Sequence, residues 1–149
     1  FGRPKQGGCM GKVSEKDIDT LARTLWGEAR GEGYSGQVAV GWAVKNRVFD
    51  GKDKSWWGEG YAGVCLAPYQ FSCWNKNDPN FKYLSGQVPI PAAQYAQARK
   101  AALDVINGQT DPTAGATHYH TTSIKTPVWA KGATVTARLG NHIFYRNVP

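Results

Sequence analysis

The 149-residue chain has no run of about 18 apolar residues, so no membrane-spanning helix is expected. Its start, Phe1 to Lys12, is Gly-rich and basic with no apolar core, so no secretory signal is read there. It opens on Phe rather than Met, as a processed product or a fragment does. Cysteine is scarce. Cys9, Cys65 and Cys73 form no CxxC pair, which argues against a cysteine-rich zinc site. Blocks of basic residues are missing too. The net charge is +7, but the Lys and Arg residues are scattered, and neither a basic helical stripe nor a zinc-finger or RNP pattern occurs. A basic surface suits nucleic acid or anionic bacterial envelope, or serves solubility alone, and the scattered pattern makes nucleic acid the less favoured polyanion. There is no GxSxG elbow, P-loop or dinucleotide fingerprint, no internal repeat and no low-complexity segment.

What is present suits one globular domain: 41% apolar and 19% charged residues in a chain of single-domain length. Residues 1–13 read as a flexible lead-in and 14–149 as a single domain. Ser14-Glu15-Lys16-Asp17 is a capping-box variant with Asp in place of Glu or Gln. Ile18, Leu21, Ala22, Leu25 and Trp26 follow at helical spacing, and the helix is expected to stop near Gly27. Gln37 to Phe49 is a second helix, apolar on most faces and so central. Residues 50–68 read as loop, Tyr69 to Trp74 as a short strand and Asn75 to Pro89 as loop. Pro91 to Ile106 is a third helix, started by Pro and stopped by Asn107-Gly108. Thr117–Thr122, Thr134–Leu139 and His142–Arg146 read as strands. Helices with a small antiparallel sheet make an α+β fold.

The densest polar cluster is Gly27-Glu28-Ala29-Arg30-Gly31-Glu32-Gly33. Glycosidic cleavage needs a carboxylic acid that holds a proton for the leaving oxygen. Glu28 follows a helix whose C-terminal dipole disfavours negative charge, and Trp26 nearby adds desolvation; both raise a carboxyl pKa. Arg30 and Glu32 are expected to pair and stay ionised. The plainer reading is a solvated, charged turn.

Three weaker constellations stand beside it. His118 and His120 face one side of a strand and His142 lies in a later one. Three histidines and a glutamate can build the zinc site of an amidase or peptidase, though strand histidines bonded to their neighbours are the commoner arrangement. Gln70-Phe71-Ser72-Cys73-Trp74 offers amide and hydroxyl groups for a sugar with Trp74 as a platform, or a core strand. Cys65 and Cys73 lie eight apart around a turn, a possible disulfide if the chain folds back; a Cys73–His nucleophile has no local support.

Taken together, these segments resemble the SleB/CwlJ-type cell-wall hydrolases, first associated with spore-cortex lysis. The likeness runs from Leu21-Ala22-Arg23 through Gly27-Glu28-Ala29-Arg30-Gly31-Glu32, Gly36-Gln37-Val38-Ala39-Val40 and Asn46-Arg47-Val48. It resumes at Gln70-Phe71-Ser72-Cys73-Trp74, and closes with Asp111-Pro112-Thr113-Ala114-Gly115-Ala116-Thr117 and Gly140-Asn141-His142-Ile143-Phe144-Tyr145. The resemblance implies a lysozyme-like domain related to lytic transglycosylases. It implies cleavage of the β-1,4 bond between N-acetylmuramic acid and N-acetylglucosamine, with Glu28 as acid/base and Glu32 as second candidate. Arg30, Gln70, Phe71, Ser72, Trp74, His118, Tyr119, His142 and Tyr145 are then expected to contact the glycan. Peptidoglycan is the expected partner, and neither cofactor nor metal is. A monomer is expected, secreted, periplasmic or wall-associated, or acting in phage lysis.

A hydrolase needs a second carboxylate, and none of Glu15, Asp17, Asp19, Asp50, Asp53, Glu59, Asp78, Asp104 or Asp111 lies in a nucleophile-like motif. One good carboxylate favours transglycosylation, in which the muramyl 6-hydroxyl closes on C1. A hydrolytic muramidase, a zinc amidase and a non-catalytic peptidoglycan-binding module are the alternatives.

Overall fold

A computed structural model describes residues 13–49, 60–67, 71–108 and 110–148. Helix α1 spans Glu15–Ala29. Its capping box forms as expected: Asp17 N–H donates to Ser14 Oγ at 3.1 Å, and Ser14 N–H donates to Asp17 Oδ2 at 3.0 Å. Val13, assigned to the lead-in from sequence, packs against the core; the rest of that segment lies outside the described residues.

The helix does not stop at Gly27. A glycine inside a helix forfeits only about 1 kcal/mol, which tertiary packing overrides. Here the missing side chain is required, because a Cβ at Gly27 would sit 2.8 Å from Cys73 Cβ and 2.9 Å from its Sγ. The extra two residues keep Glu28 helical.

A 3-10 turn, Arg30–Glu32, leads into α2, Gly33–Val48. This helix starts four residues earlier than expected and is buried along most of its length, from Gly36 to Arg47. α3, Gly60–Leu66, occupies part of the expected 50–68 loop. Its buried Tyr61, Val64 and Cys65 follow helical spacing, and Ala62 N–H donates to Asp17 Oδ1 at 3.0 Å, tying it to the α1 cap. α4 is a single turn, Phe81–Leu84, and α5 spans Ala92–Ile106 with Pro91 as N-cap. α1, α2 and α5 pack around Leu21, Leu25, Val40, Val44, Ala98 and Val105. Gly41 lets α2 approach α5, since a Cβ there would lie 2.8 Å from Val105 Cγ2.

The sheet has three antiparallel strands in the order β1-β3-β2: β1 His118–Thr121, β2 Thr134–Leu139 and β3 His142–Arg146. Tyr119 pairs with Phe144, and Thr121 with His142. Direct partners share a face, so Tyr119, Thr121, His142 and Phe144 point one way and His118, His120, Ile143 and Tyr145 the other. The first face meets the helices, where Phe144 packs with Ala39 of α2 and Ala116.

The expected strand Tyr69–Trp74 is instead a 3-10 turn, Ser72–Trp74, closed by Trp74 N–H to Phe71 O at 3.0 Å. Phe71 and Cys73 are both buried, so the segment is a packed corner rather than a sheet edge. Tyr69 and Gln70 lie outside the described residues.

Candidate active site

Glu28 projects from the last turn of α1, half-buried, between that packed corner and β1. Tyr119 Oη donates to Glu28 Oε1 at 2.6 Å, and Cys73 N–H approaches Oε2 at 3.4 Å. Burial, and then the neighbouring carboxylate, push the Tyr119 phenol well above its ordinary range, so it stays a proton donor. The Tyr119 ring is itself held by His142 edge-on at 5.2 Å and by Phe144 at 5.6 Å.

Trp26, expected to desolvate Glu28, turns elsewhere. Its Nε1 donates to Gln94 Oε1 at 2.8 Å and its ring packs with Tyr83. The aromatic group on Glu28 is Tyr119.

The expected Arg30–Glu32 pair does not form. Arg30 lies with its guanidinium 4.1 Å from the Trp26 ring centre and donates to Asn80 Oδ1 at 3.2 Å. Glu32 accepts twice from Asn141: the backbone N–H reaches Oε1 at 2.9 Å and Nδ2 reaches Oε2 at 3.0 Å. Those bonds hold its carboxyl below the usual carboxylate range.

The histidines do not converge. His118 and His120 both pack against Trp129 on the outer face, tilted and edge-on with ring centres 5.1 and 5.9 Å away, while His142 is on the helix-facing side. Among the described residues no group of three or more His, Cys, Asp or Glu is arranged to hold a metal ion. His120 Nδ1 lies 2.8 Å from Thr121 O, an acceptor only, so Nδ1 carries hydrogen. Its Nε2 then takes the Tyr145 hydroxyl at 2.9 Å. Tyr145 and His120 are both buried in this arrangement, as is Phe71 under the Arg47 guanidinium. Trp74 is half-buried and its Nε1 donates to Thr24 Oγ1 at 2.8 Å, which limits it to presenting a ring edge or face; Ser72 beside it is exposed.

The possible disulfide is also absent: Cys65 and Cys73 are separate buried thiols. The Cys73 sulfur lies against Gly27, and Cys65 bonds to Thr24, one turn earlier on α1. Burial pushes the Cys65 thiol up to about 12 and raises Cys73 further, so neither supplies a thiolate nucleophile.

Sequence reasoning passed over Arg47. It is buried, its Nε donates to Thr117 O at 2.6 Å, and its charge lies within electrostatic reach of Glu28 and Tyr119. The signal was available, since an arginine amid Val40, Ala43 and Val44 must find buried partners.

Burial, with Arg47 adding to it, lowers His118 to about 4 from its ordinary 6.5. In the unfolded chain this imidazole takes its proton near 6.5, so between those values only the unfolded state is protonated and stability falls as pH falls. We expect about 1–2 kcal/mol to be lost from pH 7 to pH 4.5 through this group, allowing for partial solvent screening. His118→Gln should flatten that slope in urea titrations at the two pH values. An unchanged slope would remove His118 as its source.

The likeness to known proteins is consistent along the chain. Residues 31–145 match the family described as Cell Wall Hydrolase. A spore cortex-lytic enzyme of Halalkalibacterium halodurans is 34% identical over 131 residues, 88% of this chain and 35% of that protein. The Bacillus subtilis spore cortex-lytic enzyme is 34% identical over 134 residues, 90% of this chain and 39% of that protein. The chain thus spans well under half the length of these curated relatives. The crystal structure of the catalytic domain of Bacillus cereus SleB superposes with a TM-score of 0.68 at 33% identity, covering 89% of this chain and 91% of that one. The catalytic domain of the germination-specific lytic transglycosylase SleB of Bacillus anthracis gives 0.67 at 33% identity, covering 89% and 96%.

Proposed function

Because the chain belongs to the Cell Wall Hydrolase family, we propose that it cleaves the β-1,4 bond between N-acetylmuramic acid and N-acetylglucosamine in bacterial peptidoglycan, with Glu28 as acid/base. The observation that carries this reading is how Glu28 is held. Every other described carboxylate has a structural partner. Glu15 pairs with Arg99, Asp19 with Arg23 and Asp104 with Lys100. Asp17 caps α1, Asp78 accepts from Asn80 N–H, Asp111 from Thr113 and Gly115, and Glu32 from Asn141. Glu28 alone among them rests on a neutral phenol and a backbone N–H.

In the first step Glu28 gives its proton to the glycosidic oxygen as that bond breaks. The carboxylate left behind keeps the Tyr119 hydrogen bond. It then takes the proton of the muramyl 6-hydroxyl as that oxygen closes on C1. The hydroxyl is tethered to the reacting sugar and so has a high effective concentration, which favours closure over attack by water. Glu32 is tied to the hairpin tip through Asn141, and its bonds among the described residues do not reach Tyr119 or Glu28 to align it with the same reaction centre. The Bacillus anthracis relative is described as a lytic transglycosylase, which agrees with this route. Such a protein works outside the cytoplasm: secreted, periplasmic, wall-associated or as a phage lysis factor.

Mass spectrometry of fragments released from purified sacculi tests the proposal. Glycan chains ending in 1,6-anhydro-muramic acid, lighter by one water than the reducing sugar, are expected to dominate. Reducing muramic ends would mean hydrolysis, and release of free stem peptides would mean an amidase.

A further inference from the structure

We infer that Glu32 is a positioning residue that clasps the β2–β3 turn to the α1–α2 junction and thereby holds Tyr119 against Glu28, an inference that rests on the acid/base reading of Glu28. The two halves of the site come from different layers: Glu28 from α1 and Tyr119 from β1. Glu32 sits four residues after Glu28, at the N-terminal boundary of α2. Its two bonds to Asn141 land on the tip of the β2–β3 hairpin, and the side chain lies in a cradle of two glycines. A Cβ on Gly36 would overlap Glu32 Cβ, and a Cβ on Gly140 would overlap Oε1. Gly140 also has φ +56°, a conformation that a residue with a side chain rarely adopts.

The link onward is short. Asn141 precedes His142, which is buried, packs edge-on against Tyr119 and pairs with Thr121 of β1. His142 Nδ1 is buried without a hydrogen-bond partner and stands 4.0 Å from Glu32 Oε1, too far to bond. Burial lowers the affinity of this ring for a proton, so it stays neutral and serves as packing between Glu32 and Tyr119. Both oxygens of Glu32 accept from the one residue Asn141, at 2.9 and 3.0 Å, which ties this carboxylate to the hairpin tip.

A donor–acceptor swap tests the inference. In Asn141→Asp two carboxylates face each other, whereas in Glu32→Gln the Asn141 amide can turn its oxygen to the new amide, so that only the charge of the acceptor is lost. Combining them, Glu32→Gln with Asn141→Asp, restores one donor and one acceptor across the contact and leaves the total charge unchanged. Asn141→Asp is expected to lower kcat about tenfold, with KM on soluble glycan fragments little changed and the Tm reduced, and Glu32→Gln is expected to lose less of both. The double variant should recover to within about threefold of the parent, the non-additivity expected of groups in contact. Loss of nearly all activity in Glu32→Gln and in the double variant, despite a Tm near the parent's, would make Glu32 a reacting carboxylate and overturn the inference. If the parent itself released no glycan from sacculi, the reading of Glu28 would fail. The clasp would then be judged by Tm alone, supported by recovery in the double variant and overturned by additive losses.

Discussion

Glu28→Gln should leave a folded protein with almost no lytic activity. The amide has the size and shape of the carboxyl, so its oxygen still accepts from Tyr119, and the 3.4 Å separation from Cys73 N–H is long enough to tolerate an amide nitrogen. What is lost is the transferable proton. General acid/base catalysis contributes about a hundred- to ten-thousandfold, and this residue is asked to serve in both steps. Turbidity loss of purified sacculi, measured beside a thermal melt, separates chemistry from folding. A folded Glu28→Gln protein that still clears sacculi would end the assignment.

The second large effect is expected of Tyr119→Phe. Phe keeps the ring that packs against His142 and Phe144 and removes only the hydroxyl. A hydrogen bond to a charged partner is worth about 1.5–3 kcal/mol, so the loss of orientation at Glu28 corresponds to about ten- to hundredfold in rate. The phenol touches the carboxylate and is not required to touch the glycan. The effect should therefore fall on kcat, with KM nearly unchanged. A rise in KM at constant kcat would instead make Tyr119 a substrate contact, the role that sequence alone suggested for it. Wild-type rates from the Phe variant would show that the Cys73 N–H suffices to hold Glu28.

Local signals explain which parts were legible beforehand. The capping box, the α5 stop at Asn107-Gly108, and the strands Thr134–Leu139 and His142–Arg146 follow from short-range chemistry, and each forms where expected. The misread helix bounds share one cause, glycine with two meanings. Gly27 was read as a breaker because its helical cost is visible in sequence, whereas the Cys73 contact that requires it is not. Gly60 and Gly63 likewise masked α3. Glu28 could be picked out because its neighbours spell a motif. Its partner could not, since nothing local connects Tyr119 to residue 28. Arg30 and Glu32 looked like an ion pair because they are close in sequence, yet residues two apart on a turn point in different directions, and each found a distant amide instead.

The bond between Glu28 and Tyr119 joins residues 91 apart in the chain. Closing so long a loop is slow and entropically unfavourable, so contacts of this kind form late in folding and open early. The helices share a large core around α1, α2 and α5, which Tyr119 of β1 joins, while β2 and β3 meet the helices through the small cluster of Phe144, Ala39 and Ala116 and the Glu32 clasp. The hairpin is therefore the part most ready to detach by sub-global opening. Under mild denaturant, amide protons of β2 and β3 should exchange before those of α1, with lytic activity disappearing in step with the strands. The chain would then still give a helical circular dichroism spectrum with its acid/base already disarmed.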